Sequence, residues 1–419
     1  MKRFLFNLFN SESRYRILVQ NFSYLSSIQI INVLLPLVVY PYLIKTLGTT
    51  FYGLVIFSQA VINYFVIFVG FGFNISATKQ ISIYRDQPSK LDEIVSSVLI
   101  IKSLLFIFAL FLLLLLINVI PHAKDYKLLF FLSMWACIYD VVFPVWYFQG
   151  VEKMKFITLI TLVSRFVFFV LVFLFIISPI DYILFPLING FASLLGGGIA
   201  LWIIFFYYKR RFIFQPFRVL KFYFMDSIPI FISNISSSLY VSTNKVIVGS
   251  FLTLGDVAYY DIAEKITTVL KIPQSILGQT LFPKMNKDRD ISFIKKIFKL
   301  TLIFHAILLL FLFVSSKYVI LLLGGEQMLP AFWVVNLMSL MVPITAMSNV
   351  FGIQILIAFD YSKKFSKIIL NSGLAYFILV SLIFCFSSFN LYNITVVSLL
   401  TEIFVAFSMY FSCRKLNLW

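Results

Sequence analysis

Asp261, Glu264, Lys265, Thr268, Lys271, Ser275 and Gln279 punctuate a stretch that is otherwise largely apolar. On an α-helix, at about 100° per residue, they fall within an arc of about 120°. Two kinds of chemistry follow from carboxylates and amines on one stripe. An amine can hold a phosphate, and a charge-assisted hydrogen bond of that kind is stronger than a neutral one. A carboxylate beside an amine can take a proton or a cation when its partner changes. The plainer reading of Asp261 and Lys265, spaced i,i+4, is that they neutralise each other. Narrower polar faces recur elsewhere. Ser227, Asn234, Ser238 and Lys245 share one; Thr158, Thr161 and Arg165 share a second; Gln59, Asn63, Gly70 and Asn74 share a third. Stripes of Ser, Thr and Asn also serve simply to pack helices together.

The elements that carry these residues are set by composition. The chain is 61% hydrophobic and only 12% charged. A water-soluble domain is about a quarter charged, so there is too little polar surface here to face water, and the solvent is lipid. A bilayer-crossing helix needs about 20 mostly apolar residues. Twelve such runs are predicted, at 17–44, 52–78, 94–120, 127–149, 156–178, 182–208, 222–250, 256–282, 293–316, 330–357, 365–387 and 391–412. The fold class expected is all-α and integral to the membrane.

Of the 34 Lys and Arg, 25 fall in connections on the same side as the N-terminus and 4 on the other (Lys45, Lys124, Lys127 and Lys317). Such a split is a positive-inside signal that puts both termini in the cytoplasm. The net charge of +17 is therefore read as topology, with some attraction to anionic lipid, and not as a nucleic-acid surface. No cleavable signal peptide is expected at the start.

Ionisable groups within the spans cost about 2.5–3.5 kcal/mol each, so they belong in a protein interior or a wet cavity. Five are cations (Lys102, Arg165, Lys245, Lys265, Lys271) and five are acids (Asp140, Asp226, Asp261, Glu264, Glu402), a net of zero. Lys102 is expected to snorkel toward the cytoplasm. Lys245 lies near the outer end of its span, within reach of water. Arg165, eleven residues into its helix, lies near the bilayer midplane. Pro36, Pro41, Pro144, Pro229, Pro273 and Pro343 can kink their helices. Gly196-Gly197-Gly198 permits close packing or a bend.

The basic connection 209–221 divides the chain into an N-terminal six-helix lobe, 1–208, and a C-terminal one, 222–419. The halves are weakly alike. Leu47-Gly48-Thr49-Thr50-Phe51-Tyr52-Gly53 occupies the place that Leu252-Thr253-Leu254-Gly255-Asp256-Val257-Ala258 occupies in the second half, and Gln59 and Glu264 keep the same offset of 205. Six spans per half makes them parallel pseudo-repeats, as in several alternating-access transporters.

Three blocks carry a resemblance. The first runs from Leu34 to Asp86, with Leu35-Pro36-Leu37, Tyr40-Pro41-Tyr42-Leu43, Tyr52-Gly53 and Gly72-Phe73-Asn74-Ile75-Ser76-Ala77-Thr78-Lys79. The second is Trp146-Tyr147-Phe148-Gln149-Gly150-Val151-Glu152-Lys153-Met154-Lys155. The third joins Thr243-Asn244-Lys245-Val246-Ile247-Val248-Gly249 to Tyr259-Tyr260-Asp261-Ile262-Ala263-Glu264-Lys265-Ile266. Together they resemble bacterial O-antigen flippases of the Wzx type, in the multidrug/oligosaccharidyl-lipid/polysaccharide exporter superfamily. The resemblance implies twelve inner-membrane helices in two six-helix lobes forming a V. It implies transfer of undecaprenyl-pyrophosphate-linked oligosaccharide from the cytoplasmic to the periplasmic leaflet, driven by a proton or sodium gradient, with no cofactor. Cations in a central cavity would meet the pyrophosphate. The balanced intramembrane charge departs from a strongly cationic cavity.

On that reading Arg165, Lys245, Lys265 and Lys271, with Asn74 and Asn234, are the substrate-binding residues, and Asp261 and Glu264 the ion-coupling ones. The expected partners are the lipid-linked substrate, the bilayer and other glycan-assembly membrane proteins, with a monomer as the default. A drug/cation antiporter of the same superfamily is the alternative, kept open by the zero net charge. A membrane glycan polymerase or acyltransferase is disfavoured, because no paired carboxylates or histidine motif occupies a long loop. His122 and His305 are the only histidines, and Cys137, Cys385 and Cys413 are far apart, so neither a metal site nor a disulfide framework can be read.

Overall fold

The computed structural model describes Leu35 and residues 38–386 and 389–419, with the side chains of 236–242, 275–277 and 279–288 left aside. The described residues are helical, with no strand among them. In chain order the helices are α1 (38–70), α2 (Phe73–Ile83), α3 (Pro88–Leu116), α4 (Lys127–Ser133), α5 (Trp135–Val142), α6 (Val145–Gly150), α7 (Met154–Phe175) and α8 (Leu184–Trp202). They continue as α9 (Phe217–Phe251), α10 (Leu254–Asp288), α11 (Ile291–Gly324), α12 (Phe332–Ser339), α13 (Met341–Asn349), α14 (Ser362–Phe386) and α15 (Leu391–Lys415). A π-helical segment, Val350–Ile357, extends α13.

Among the described residues nine helical stretches are long and apolar enough to cross a membrane: Val38–Ile83, Pro88–Leu116, Lys127–Gly150, Met154–Phe175, Pro179–Tyr207, Ile291–Gly324, Glu326–Ile357, Ser362–Phe386 and Leu391–Lys415. They overlap ten of the twelve runs expected from sequence, the first of which lies mostly outside the described residues. Pro36 and the four basic residues of the N-terminal side, Lys2, Arg3, Arg14 and Arg16, also lie outside them. The seventh and eighth runs form α9 and α10, single helices of 35 residues each that are not among the nine. Their sequences explain this. A run of Ser, Asn and Thr interrupts α9, and charges punctuate α10.

Capping residues set several boundaries. Pro88 stands in the first turn of α3, where its missing N–H would have had no partner. The Asp290 side chain accepts a hydrogen bond from the Phe293 N–H at 3.1 Å and starts α11. Asn390 does the same for α15 through Asn393 at 2.9 Å. Of the sequence's prolines, Pro144 separates α5 from α6, whereas Pro229 lies inside an unbroken helix.

The described residues form two compact units. One comprises the described residues up to Thr46 together with Val61–Ile235; the other comprises Leu47–Ala60 together with the described residues of Ser236–Trp419. In the first unit α2 packs on α6. Thr78 Oγ1 donates to the Trp146 carbonyl at 3.3 Å. A Cβ at Gly150 would lie 2.4 Å from Ile81 Cγ2, so only glycine fits there. Two blocks of the sequence resemblance, at 72–79 and 146–155, are thus one packed pair. Between α1 and α2 the chain turns through Phe71 and Gly72, both with positive φ (43° and 78°). The Gly196 and Gly197 positions are close contacts, against Ser164 and Val142, in a helix that runs on without interruption to Trp202.

Lys102 does not snorkel. It is fully buried, and its Nζ donates to the Asp140 carbonyl at 2.9 Å and to Asp140 Oδ2 at 2.8 Å. A partner inside the protein outweighs the reach of a flexible stem toward water.

In the second unit, α10 packs against α12, α13 and the π segment, and α15 packs against α13 and α14. Val350, Phe351, Ile355 and Leu356 form a core with Val405, Met409 and Cys413. The outward faces of α11 and α14 expose Leu310, Phe311, Val314, Leu374 and Ile378, as helices in contact with lipid do.

Candidate functional site

The site lies in the second unit, and glycines bring its helices close. A Cβ at Gly53 would stand 1.8 Å from the Leu254 carbonyl oxygen, so α1 touches the start of α10 backbone to backbone. A Cβ at Gly249 would stand 2.2 Å from the Phe57 ring, which fixes α9 beside the same stretch of α1. This close approach is what Tyr52-Gly53 and the segment 252–258 provide.

Asp261 sits at the centre, 1% exposed. Its Oδ1 accepts an ion pair from Lys245 Nζ at 2.7 Å. Its Oδ2 is shared by Lys265 Nζ and by the Tyr52 hydroxyl, the latter at 2.5 Å. Lys265 Nζ also donates to the Tyr52 hydroxyl at 2.7 Å and lies 5.3 Å from the centroid of its ring. Lys245 bridges Asp261 and Glu264. Two amines thus face two carboxylates, and the cluster is neutral. Lys245 is turned into this cluster, with 22% of its side chain exposed, rather than out to water.

Glu264 is the member that also meets open space. With Asn244, Tyr260, Thr267, Lys271, Met338, Met341, Tyr376, Ser398 and Glu402 it lines a cavity of about 90 Å³. The far wall is braced by hydrogen bonds: the Tyr376 hydroxyl donates to Asn244 Oδ1 at 2.5 Å, and Asn244 Nδ2 donates to Ser398 Oγ at 3.0 Å. Lys271 reaches the cavity with no ion-pair partner among the described residues. A half-buried amine without an ion-pair partner is a ready place for an anion to bind.

Five of the eight residues singled out from the sequence therefore meet at one place: Lys245, Lys265, Lys271, Asp261 and Glu264. Arg165, Asn74 and Asn234 belong to the first unit, where Arg165 is half-buried and both asparagines are exposed. Thr158 and Thr161, on the face shared with Arg165, are buried packing residues. On α10 Thr268 is exposed while Thr267 lines the cavity, and the side chains of Ser275 and Gln279 lie outside the described residues, as does that of Ser238. Sequence reasoning missed Tyr52, Tyr376, Ser398 and Thr267 as parts of the site. Tyr52 stood within a recognised block, which was its one available signal.

A profile of the family described as "Polysaccharide biosynthesis protein" matches residues 18–288, well over half of the chain. The chain belongs to this polysaccharide biosynthesis family. The matched segment carries the four charges of the cluster and Lys271. A protein of Escherichia coli (strain K12) named "Putative O-antigen transporter" is 28% identical over 367 residues, covering 86% of this chain and 88% of its own. One of the same name from Shigella dysenteriae is 25% identical over 258 residues, covering 61% of this chain and 64% of its own.

Two solved structures share the fold of this family member. An inward-facing multidrug resistance MATE family transporter of the MOP superfamily superposes with a TM-score of 0.75 at 13% identity, covering 94% of this chain and 97% of its own. The lipid II flippase MurJ, in an inward closed conformation, gives 0.76 at 15% identity, covering 93% and 87%. With its apolar helices, this family member is a multi-pass membrane protein.

Proposed function

We propose that the chain is a flippase for lipid-linked oligosaccharide, an O-antigen or other surface-polysaccharide repeat unit on undecaprenyl pyrophosphate. It works without a cofactor by alternating access of two six-helix lobes. On this reading it is a twelve-helix monomer of the bacterial inner membrane, with both termini in the cytoplasm and the substrate moved toward the periplasm. Family membership and the names of the relatives support the substrate class, and the fold shared with solved transporters supports the mode of action.

The observation that carries the mechanism is the neutral charge cluster joined to a cavity through Glu264. A dianionic head group entering beside Lys271 competes with Glu264 and Asp261 for Lys245 and Lys265. A carboxylate that loses its lysine is left uncompensated in a poorly hydrated place, and there it takes up a proton or a sodium ion. Exchange of ion-pair partners thus links substrate binding to ion binding. Arg165, Asn74 and Asn234, in the first unit, remain proposed substrate-binding residues.

Deleting the gene tests this. Loss of surface polysaccharide, with lipid-linked repeat units building up on the cytoplasmic leaflet and export restored by a wild-type copy, is expected. The neutrality of the cluster favours one competing reading, a cation/drug antiporter. Unchanged surface glycan together with new sensitivity to cationic drugs would establish that instead.

A further inference from the structure

The polar face of α10 does not stop at the cavity. Glu264, Thr267 and Lys271 line it. One turn further along the same face stands Gln274, 5% exposed, whose Nε2 donates to Asn349 Oδ1 at 3.4 Å. Asn349 Oδ1 in turn lies 3.1 Å from where a Cβ at Gly278 would be, so α10 and the end of α13 touch here with only glycine between them. Asn349 leads directly into the π segment, on which Gln354 is 1% exposed. A π turn advances by roughly four to five residues, which carries Gln354 back toward the face that Asn349 presents to α10.

These amides are not satisfied by one another. Gln274 Oε1 has no hydrogen-bond partner among the described residues, and neither does Gln354 Oε1 or Gln354 Nε2. Leucine or methionine would fill the same volume in a purely apolar core. Buried amides are paired in folded proteins, with ordered water where no protein group serves. Internal waters typically make two to four hydrogen bonds to such otherwise orphaned groups. Local widening of a helix to π geometry is itself frequent at functional positions.

We infer that Gln274, Asn349 and Gln354 form a binding site for ordered water, a hydrated extension of the cavity that leads away from Glu264 along α10. The amides donate and accept without ionising, so a proton passes from water to water and is delivered to a Glu264 carboxylate freed from Lys245. Nothing in the amide site gains or loses charge. That role rests on the ion-coupled flippase reading; the presence of water does not.

X-ray hydroxyl-radical footprinting of the purified full-length protein in detergent separates the two. Met347 and Met409 pack around the π segment, and Met409 is 1% exposed with its sulfur next to Gly352. Radicals made from water bound at the site oxidise Met409 at least fivefold faster than Met134, which is equally buried in the first unit. In Gln354→Leu that excess falls at least threefold, while Met338 and Met341 at the cavity keep their rates. Met409 reacting as slowly as Met134 in the wild type, or at a rate unchanged by Gln354→Leu, overturns the water site. Wild-type footprints of a wet site with full surface glycan in Gln354→Leu retain the site and remove its role in coupling.

Discussion

Each compact unit holds buried charge, and the two solutions differ. In the first, one amine meets one carboxylate: Lys102 is wholly enclosed, and Asp140 gives it a side-chain oxygen and a backbone carbonyl. Neither residue lines the cavity of the second unit. In the second, two amines share two carboxylates and a tyrosine hydroxyl, and one member opens onto a cavity. A closed pair has no second arrangement of comparable energy, whereas a four-membered network can lose one contact and keep the others. The first therefore reads as a structural pair and the second as an exchangeable one.

The contrast is sharpest if each is broken. Removing one partner of a buried pair leaves an uncompensated charge, at a cost of about 3–5 kcal/mol. Lys102→Met is expected to lose that much in a chemical-denaturation series, and Lys102→Met with Asp140→Leu to regain most of it, since an apolar pair of similar volume is often neutral. Full surface glycan in the double variant would confirm that this pair only holds the fold. A double variant without export would move it into the mechanism.

Tyr52→Phe is the next largest. It removes the hydroxyl shared by Asp261 and Lys265, a charged hydrogen bond of about 1.5–3 kcal/mol. Because both amines keep their carboxylates, the protein is expected to accumulate normally and to export at a rate reduced several-fold. Unchanged export would mean the tyrosine only fills space. The smallest effect belongs to Arg289→Gln. Arg289 meets Asp360 at 2.5 Å, with 44% and 78% of the two side chains exposed. Exposed pairs of that kind contribute under about 1 kcal/mol, and neither stability nor export is expected to move measurably.

Particular residues show how far the sequence could be read. The stripe on α10 was legible because helical periodicity is local: Asp261, Glu264, Lys265 and Lys271 needed only 3.6 residues per turn. The assignment slipped by one position at Thr267 and Thr268, since α10 packs against neighbours on more than one side. Tyr52 was beyond periodicity, because its partner Asp261 lies 209 residues away. Lys102 was misread for the same reason: the stem was visible in the sequence, but the Asp140 that captures it is 38 residues on, in another helix. What stayed hidden were contacts made between helices, which depend on where a glycine such as Gly53 lets two backbones meet.

The central claim is that the Glu264 end of the cluster exchanges partners during transport. The most direct measurement is the amount of lipid-linked repeat unit held on the cytoplasmic leaflet in strains whose only copy carries Glu264→Gln or Lys271→Ala, at protein levels matched to wild type. The account predicts accumulation of repeat units and loss of surface glycan in both strains. Wild-type glycan with no accumulation in both would contradict it.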